Sequence, residues 1–152
     1  MSLAESSILP DDAVAQLLQL ARRHECNGIH PDDPVREALA IVGNKWSTLI
    51  LEVLSTGPYR YGNLRKVVSV LSCEGNISAR MLTANLRTLE KNGLVDRRVG
   101  GVIPPRVTYE LTELGRSLLK VVEAVVVWGE SNISSIIESR KNYQDGLMTD
   151  AE

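Results

Sequence analysis

The stretch from Glu90 to Gly115, EKNGLVDRRVGGVIPPRVTYELTELG, constrains the fold more than any other part of the chain. It contains a helix stop at Gly93 and then two short runs of β-type residues, LVDRRV and RVTYEL, joined by the Gly/Pro-rich segment GGVIPP. Thr112 then opens a further helix. The stretch therefore predicts a two-stranded ribbon with a loose tip, held between two helices.

A helix with one apolar and one polar face is predicted directly before this ribbon. Ser78 is a good N-cap, and Gly93 ends the helix. The apolar residues recur at helical spacing and are Leu82, Leu86 and Leu89. At about 100° per residue, the opposite face carries Arg80, Thr83, Ala84, Arg87 and Lys91. Asn85 lies on the flank between the two faces.

Further helices are indicated by apolar residues that recur at helical spacing. They run from Asp11 to about Arg23, from Pro34 to Gly43, from Asn44 to Gly57, from Gly62 to Val68 and from Thr112 to about Arg140. The tail at 141–152 is predicted to be disordered. The predicted fold class is therefore mainly α (α+β), with a small β ribbon before a long C-terminal helix.

Charge is distributed unevenly along the 152 residues, although the net charge is only -2. The segment from Lys45 to Arg116 holds eleven Lys/Arg against six Asp/Glu, whereas both flanking segments carry an acidic excess. A basic centre between acidic ends is typical of a chain whose centre meets a polyanion. An ordinary solvated surface would have the same composition, so charge alone leaves both interpretations open.

The order of the elements favours the polyanion. A polar helix fits the major groove of double-stranded DNA, where arginine reads guanine and threonine contacts a thymine methyl group or a phosphate. In this interpretation Ser78, Arg80, Thr83 and Arg87 contact DNA from the helix. The ribbon contributes Arg97, Arg98 and Arg106, which would reach the flanking backbone or the minor groove. Lys45, Arg65 and Lys66 are predicted to hold phosphates and set the register.

The motifs GNKW, RMLTANLRTLEKNGLV and PPRVTYELTELG together resemble the HxlR-type winged helix-turn-helix regulators, relatives of the MarR group. The resemblance covers roughly 33–130. It implies a homodimeric, sequence-specific DNA-binding transcriptional regulator without enzymatic activity, more often a repressor. Carried onto this chain, 62–68 is the first helix of the motif, 78–92 the recognition helix and 94–111 the wing.

One departure from the family pattern concerns cysteine chemistry. Family members often carry a cysteine immediately before the Pro-Val of the first motif, and some use it to sense oxidants or electrophiles. Asp33 stands in that place here. Redox sensing by that route is therefore not expected. Cys73 lies in the connection before the recognition helix, and no fixed cation marks its thiol as reactive.

Two apolar stripes run along the predicted C-terminal helix. The first carries Leu114, Leu118, Val121, Val125, Trp128 and Ile136, and the second carries Leu119, Val122, Val126, Ile133 and Ile137. Together they span about half the circumference of the helix, more than one small domain buries. We therefore predict that the second stripe contacts a partner chain. The residues predicted at this dimer interface are Leu118, Val122, Val125, Trp128 and Ile133.

These predictions divide the chain into four parts. They are an N-terminal helical extension (1–32), a winged helix-turn-helix DNA-binding domain (33–116), a C-terminal dimerisation helix (117–140) and a disordered tail (141–152). A two-fold dimer would present its recognition helices about one DNA turn (~34 Å) apart or a multiple of it, and would select an inverted-repeat operator. The start of the chain lacks a secretion signal and no run approaches a membrane span, so we expect a cytoplasmic location and no membrane partner.

The sequence also contains features that bear on three other functions. His24, Cys26 and His30 are metal ligands by type, but their spacing matches no recurring zinc pattern, so no metal or other cofactor is predicted. No nucleophile with a base, phosphate loop or paired carboxylates occurs at a supporting spacing, so no enzyme is predicted. A winged helix that binds protein without specific DNA binding stays open as the alternative function. A small-molecule effector is possible in such an architecture, and no residue set in the sequence identifies one.

Overall fold

The computed structural model describes residues 33–101 and 103–149, together with Ala15, Gln16 and Gln19, which are helical. The rest of the predicted helix from Asp11 to Arg23 lies outside the described residues. The elements are α1 (Pro34–Gly43), α2 (Lys45–Ser55), β1 (Tyr59–Arg60), α3 (Tyr61–Leu71), α4 (Ala79–Lys91), β2 (Val95–Gly100), β3 (Arg106–Leu111) and α5 (Glu113–Thr149). The chain divides between Ile41 and Val42 into two units, each of which is described by itself. The mostly helical fold class with a small antiparallel sheet is confirmed.

Helix α1 begins with a side-chain cap. Asp33 is only 7% exposed, and its Oδ1 accepts a hydrogen bond from the backbone N–H of Val35 at 3.0 Å. This bond satisfies one of the free N–H groups at the start of the helix. Asp33 is thus a helix cap.

Helix α2 is the centre of the second unit. It is capped as predicted by Asn44, whose Oδ1 accepts from the N–H groups of Trp46 and Ser47 at 3.0 and 3.2 Å. Its buried apolar residues are Ile50, Leu51, Val53 and Leu54. They pack against α3, α4, α5 and β3. Helices α3, α4 and α5 and strand β3 are therefore positioned against one helix, while β2 contacts α4 and β3.

The two helices of the predicted motif each bury apolar residues on one face. Leu64 and Val68 of α3 are fully buried. In α4 the buried stripe consists of Leu82, Leu86 and Leu89. Burial of this stripe fixes the rotation of α4 about its axis, so that the polar face points outward.

The sheet has three strands, where the sequence predicted two. Its order is β1-β3-β2 and all pairings are antiparallel. Strand β1 pairs Tyr59 with Tyr109 and Arg60 with Thr108. Strand β1 has only two residues and directly follows a Gly-Pro helix stop. An alternating pattern cannot be recognised in two residues, so the sequence did not reveal this strand.

The end of α4, the start of β2 and the start of α5 meet at one junction. Gly93 adopts a φ of +69° and ends α4 in the left-handed region that glycine tolerates best. The hydroxyl group of Thr112 donates to the carbonyl oxygen of Gly93 at 2.7 Å and accepts from the N–H of Gly115 at 3.0 Å. The N–H of Thr112 donates to the carbonyl oxygen of Leu94 at 3.1 Å. Thr112 therefore caps α5, as predicted, and also fastens it to the base of the wing.

Helix α5 is longer than predicted. It runs from Glu113 to Thr149, 37 residues in all, so the predicted boundary at Arg140 and the disordered tail from 141 are wrong up to Thr149. The segment that follows Arg140 is polar but contains no proline, and a helix can continue with its polar side chains in water.

The two apolar stripes of α5 are used differently from the prediction. Leu119 and Val122 of the second stripe are 8% and 4% exposed and belong to the core of the chain itself. Val122 has little surface left for a partner, so its assignment to the dimer interface is wrong. Trp128, Val125 and Val121 of the first stripe are half-exposed or more. Periodicity found both stripes, but it could not tell which one faces α2.

No single helix among the described residues is long and apolar enough to cross a membrane. Helices α1 and α2 pass that test only as a bent pair, by length and composition.

Gly115 is expected to tolerate no larger residue. A Cβ atom at this position would lie 2.2 Å from the carbonyl oxygen of Leu94 and 2.6 Å from Leu111 Cδ1. Gly115→Ala is therefore expected to lower the free energy of unfolding by about 3 kcal/mol, because α5 must move away from the wing. Urea-induced unfolding followed by circular dichroism measures this change.

Gly62→Ala is the matched control. Gly62 lies in the first turn of α3, and a Cβ atom there would meet nothing within 4 Å. This change is expected to be neutral or to stabilise by up to about 1 kcal/mol, since alanine is the better helix former. Equal effects of the two substitutions would contradict the close packing at Gly115.

Candidate nucleic-acid interface

The outer face of α4 is a cationic stripe. Arg80, Arg87 and Lys91 are exposed, and their spacing places them on one side of the helix, opposite the buried leucines. None of the three takes part in an ion pair among those found in the described residues. We call the surface formed by Arg80, Thr83, Arg87 and Lys91 the recognition surface.

Two hydroxyl groups predicted to contact DNA already have partners inside the protein. Ser78 Oγ accepts from the N–H of Met81 at 3.1 Å and caps α4. Thr83 is half-buried, and its Oγ1 lies 3.1 Å from the phenolic oxygen of Tyr61. Each therefore supports the geometry of the helix, and each retains only part of its hydrogen-bonding capacity for a ligand.

Tyr61 connects the sheet to the recognition helix, a role that the sequence did not reveal. It is the first residue of α3, and its ring centroid lies 6.5 Å from that of Tyr109 in β3, with the ring planes tilted by 52°. Its Oη donates to the carbonyl oxygen of Ala79 at 3.0 Å. One side chain thus spans from the wing to the first turn of α4.

Arg65 and Ser69, both on α3, hold the chain that enters α4. Arg65 Nε donates to the carbonyl oxygen of Ile77 at 3.1 Å, and Ser69 Oγ accepts from the N–H of Ile77 at 3.2 Å. The remaining guanidinium N–H groups of Arg65 are still available for a phosphate. Arg65 and the exposed Lys66 line a groove of about 490 Å³ together with Tyr61, Gly62, Ser69, Val70 and Asn76.

The wing arginines do not share one face. Side chains directly opposite each other in an antiparallel pair lie on the same side of the sheet. The register pairs Arg97 with Tyr109, whereas Arg98 lies opposite Thr108, and Arg106 lies opposite Gly100. Arg97 is therefore on the side of the buried Tyr109, and Arg98 and Arg106 are on the other side.

Arg60 joins the outer side of the sheet and was not among the predicted residues. It pairs with Thr108 from β1, while Arg98 pairs with Thr108 from β2. The two arginines therefore flank Thr108, about 10 Å apart at two strand spacings. Arg98 Nη2 also forms an ion pair with Glu110 Oε2 at 3.0 Å.

Lys45 lies in the first turn of α2 and is also engaged. Its ammonium group pairs with the carboxylate of Glu74, in the loop between α3 and α4. Both side chains are largely exposed. An exposed pair of this kind contributes little to stability and opens readily for a phosphate.

A buried polar contact holds α4 against α2. Ser47 Oγ donates to Asn85 Oδ1 at 2.8 Å, and Asn85 Nδ2 donates to the carbonyl oxygen of Met81 at 2.8 Å. Ser47 and Asn85 are 2% and 8% exposed. The helical periodicity placed Asn85 on the flank, and Ser47 on α2 gave no signal of the pairing.

The side chains of the recognition surface can bind and read an anionic ligand. Arginine and lysine offer only hydrogen-bond donors and positive charge, and they suit phosphate oxygens and the acceptor atoms of guanine. Within the described residues, no group of three or more His, Cys, Asp or Glu could hold a metal ion. The candidate set His24, Cys26 and His30 lies outside the described residues.

Comparison with known proteins identifies the family. The model of the HxlR-like helix-turn-helix matches residues 41–137. The chain belongs to the HxlR-like helix-turn-helix family. The matched residues include the buried stripe of α4, the recognition surface, the wing and the first part of α5.

Relatives and solved structures of this family are named as regulators. The chain is 35% identical over 131 residues to the HTH-type transcriptional regulator YybR of Bacillus subtilis, covering 84% of this chain and 98% of YybR. The structure is similar to the transcriptional regulator YtfH from Salmonella typhimurium, with a TM-score of 0.60, 34% identity, and coverage of 76% of this chain and 97% of that one. It is also similar to the redox regulator HypR in its reduced form, with a TM-score of 0.56, 39% identity, and coverage of 70% and 98%. This HxlR-like chain is therefore a transcriptional regulator of the winged helix type.

Asn85→Ala is expected to destabilise the protein by about 2 kcal/mol, because it removes the partner of the buried Ser47 hydroxyl group. Ser47→Ala should cost less, since the Asn85 amide still donates to Met81. The double variant should be less destabilised than the sum of the two single variants. Urea unfolding of all four proteins measures this cycle, and strictly additive losses would contradict the buried hydrogen bond.

Proposed function

We propose that this HxlR-like protein is a homodimeric, sequence-specific DNA-binding regulator that acts in the cytoplasm. It binds an inverted-repeat operator with the recognition helix at 78–92 and the wing at 94–111, and it represses transcription by occupying a site that overlaps a promoter. The observation that carries this proposal is the recognition surface, a cationic stripe on a helix whose opposite side is fully buried.

Electrostatics supports DNA over a protein partner. A surface that docks on protein is usually depleted of charge at its centre and rich in aromatic side chains. The centre of the recognition surface carries instead Arg80 and Arg87, both exposed. Acceptor-rich phosphates and guanine edges match such donors.

The basic residues are assigned to two roles, contact with base edges and contact with the phosphate backbone. Arg80 and Arg87 extend from α4, where a helix in the major groove brings them to base edges. Lys66 and the remaining N–H groups of Arg65 lie on the adjacent helix and are assigned to phosphates. Lys45, Arg97, Arg98 and Arg106 are assigned to the backbone on either side of the groove.

Arg87→Ala and Arg80→Ala are each expected to weaken operator binding by about 5- to 150-fold, which corresponds to the roughly 1–3 kcal/mol of a bidentate contact to guanine. Each should also relax the base preference at one position. Fluorescence anisotropy with the operator and with single-base variants measures both effects.

Lys120→Ala is the control for lost charge. Lys120 is exposed on α5, away from both apolar stripes at about 100° per residue. Its loss should change affinity by less than about twofold. A uniform loss for all duplexes in the arginine variants would show phosphate contacts in place of base reading.

The exposed apolar surface of α5 supports a homodimer. Val121, Val125 and Trp128 are 51%, 52% and 62% exposed, and Ile133 is 56% exposed. The first stripe, which carries Val121, Val125 and Trp128, is an exposed apolar surface that typically marks an interface between chains, and Ile133 adds exposed apolar surface on the second stripe. A self-complementary contact along α5 would form a two-fold dimer with two recognition helices.

Val125→Asp is expected to convert the dimer to a 16.7 kDa monomer, because a carboxylate in an apolar interface loses its hydration without a partner. Multi-angle light scattering measures the mass. Val127→Asp is the matched control, since Val127 is 60% exposed on another side of the same helix. A dimer that persists in Val125→Asp and dissociates in Val127→Asp would assign the interface to the other face.

The proposal as a whole is tested with DNA from the region upstream of the protein's own gene, at about 50 and 200 mM salt and with unrelated DNA as competitor. We expect competitor-resistant binding that weakens steeply with salt, and a footprint with two half-sites. Transcription in vitro from a promoter that overlaps the footprint should fall when the protein is added. No binding at low salt would instead favour the protein-docking function.

A further inference from the structure

The hydroxyl group of Thr83 has a fixed polarity. Tyr61 Oη donates to the carbonyl oxygen of Ala79 at 3.0 Å and lies 3.1 Å from Thr83 Oγ1. A carbonyl oxygen carries no proton, so the bond to Ala79 uses the single phenolic proton. The hydrogen bond between Tyr61 and Thr83 must then use the proton of Thr83. Thr83 donates to Tyr61, and Tyr61 accepts.

This polarity determines what Thr83 presents to a ligand. A threonine hydroxyl group has one donor proton and two acceptor lone pairs. With the proton directed at Tyr61, the hydroxyl group has only acceptor lone pairs left for a ligand. Thr83 lies three residues after Arg80 and four before Arg87, so it sits between two side chains that only donate. The recognition surface therefore runs donor, acceptor, donor along one stripe.

The phenol that imposes this polarity is itself held in position. Tyr61 starts α3, and its ring lies against the ring of the buried Tyr109, with centroids 6.5 Å apart. The hydroxyl group is thus presented to the first turn of α4 from a packed side chain. The orientation of the Thr83 hydroxyl group is therefore fixed when the protein folds, so that binding requires no further loss of its conformational entropy.

We propose that Thr83 is a specificity-determining residue that accepts a hydrogen bond from an exocyclic amino group in the major groove, and that Tyr61 is the positioning residue that sets this preference. The proposal rests on the DNA-binding function proposed above. Only N6 of adenine and N4 of cytosine donate in the major groove, whereas guanine and thymine present acceptor atoms there. An acceptor at Thr83 selects the first pair of bases and opposes the second.

The test selects a binding site from random duplex DNA with the full-length protein and then measures affinities on single-position variants. The position that Thr83 reads is the one at which Thr83→Val changes the base preference. At that position the wild-type protein is expected to favour adenine or cytosine by about 3- to 10-fold. Replacing a selected adenine there with purine, which lacks the amino group, should weaken the wild-type protein and leave Thr83→Val unchanged.

Tyr61→Phe separates positioning from contact. It keeps the ring and removes the hydroxyl group, so Thr83 becomes free to donate or to accept. The preference at this one position is expected to fall below about twofold, while the preferences at the arginine positions stay. Thr83→Ser keeps the hydroxyl group and should keep the preference.

Thr88→Val is the control for the chemical change itself. Thr88 Oγ1 donates to the carbonyl oxygen of Ala84 at 3.2 Å, on another side of the same helix, and its loss should alter no base preference. Circular dichroism and urea unfolding establish that each variant is folded before its affinity is compared.

The outcomes separate the two proposals. If the wild-type protein selects no sequence, the proposed function fails and the inference about Thr83 fails with it. If it selects a site, and Arg80→Ala and Arg87→Ala lose base preferences while Tyr61→Phe and Thr83→Val lose none, the function stands and the inference is overturned. Preference for guanine or thymine at the Thr83 position would also overturn it.

Discussion

The close approach of α5 to the carbonyl oxygen of Leu94 is the contact on which the arrangement of the DNA-binding elements depends. Helix α4 ends three residues earlier, at Lys91, β2 begins one residue later, at Val95, and the Thr112 N–H donates to that same carbonyl oxygen at 3.1 Å. Only a residue without a Cβ atom fits at Gly115, where that atom would lie 2.2 Å from the oxygen. The recognition helix, the wing and the long helix are therefore joined at a single backbone site.

The sequence predicted the parts of the fold that depend on periodicity and capping. The buried stripe of α4, the cap at Asn44 and the start of α5 at Thr112 follow from local residue patterns, and each is confirmed. The third strand and the buried pairing of Ser47 with Asn85 were missed, since both join residues distant in the chain and neither has a local signature. The stripes of α5 were recognised, but their assignment requires knowing which face meets α2, and that is a tertiary property.

The candidate site differs from its prediction in how its polar groups are used. Residue type and helical face predicted which side chains lie on or near the recognition surface, yet Arg65, Ser78 and Thr83 each have a hydrogen-bond partner inside the protein. Sequence reasoning counts every such residue as available to DNA. The structure instead shows that part of each side chain holds α4, so that the proposed DNA contacts and the placement of the helix involve the same residues.

The length of α5 has a mechanical consequence. At about 1.5 Å of rise per residue, its 37 residues extend for roughly 55 Å, from the junction at Gly115 well past the part of the helix that packs on α2. A helix of that length acts as a lever: a rotation of only about 5° at its base displaces its far end by roughly 5 Å. That displacement exceeds the spacing between successive base pairs. The close packing at Gly115 fixes the direction of the helix axis at its base, and the position of the far end depends on that direction.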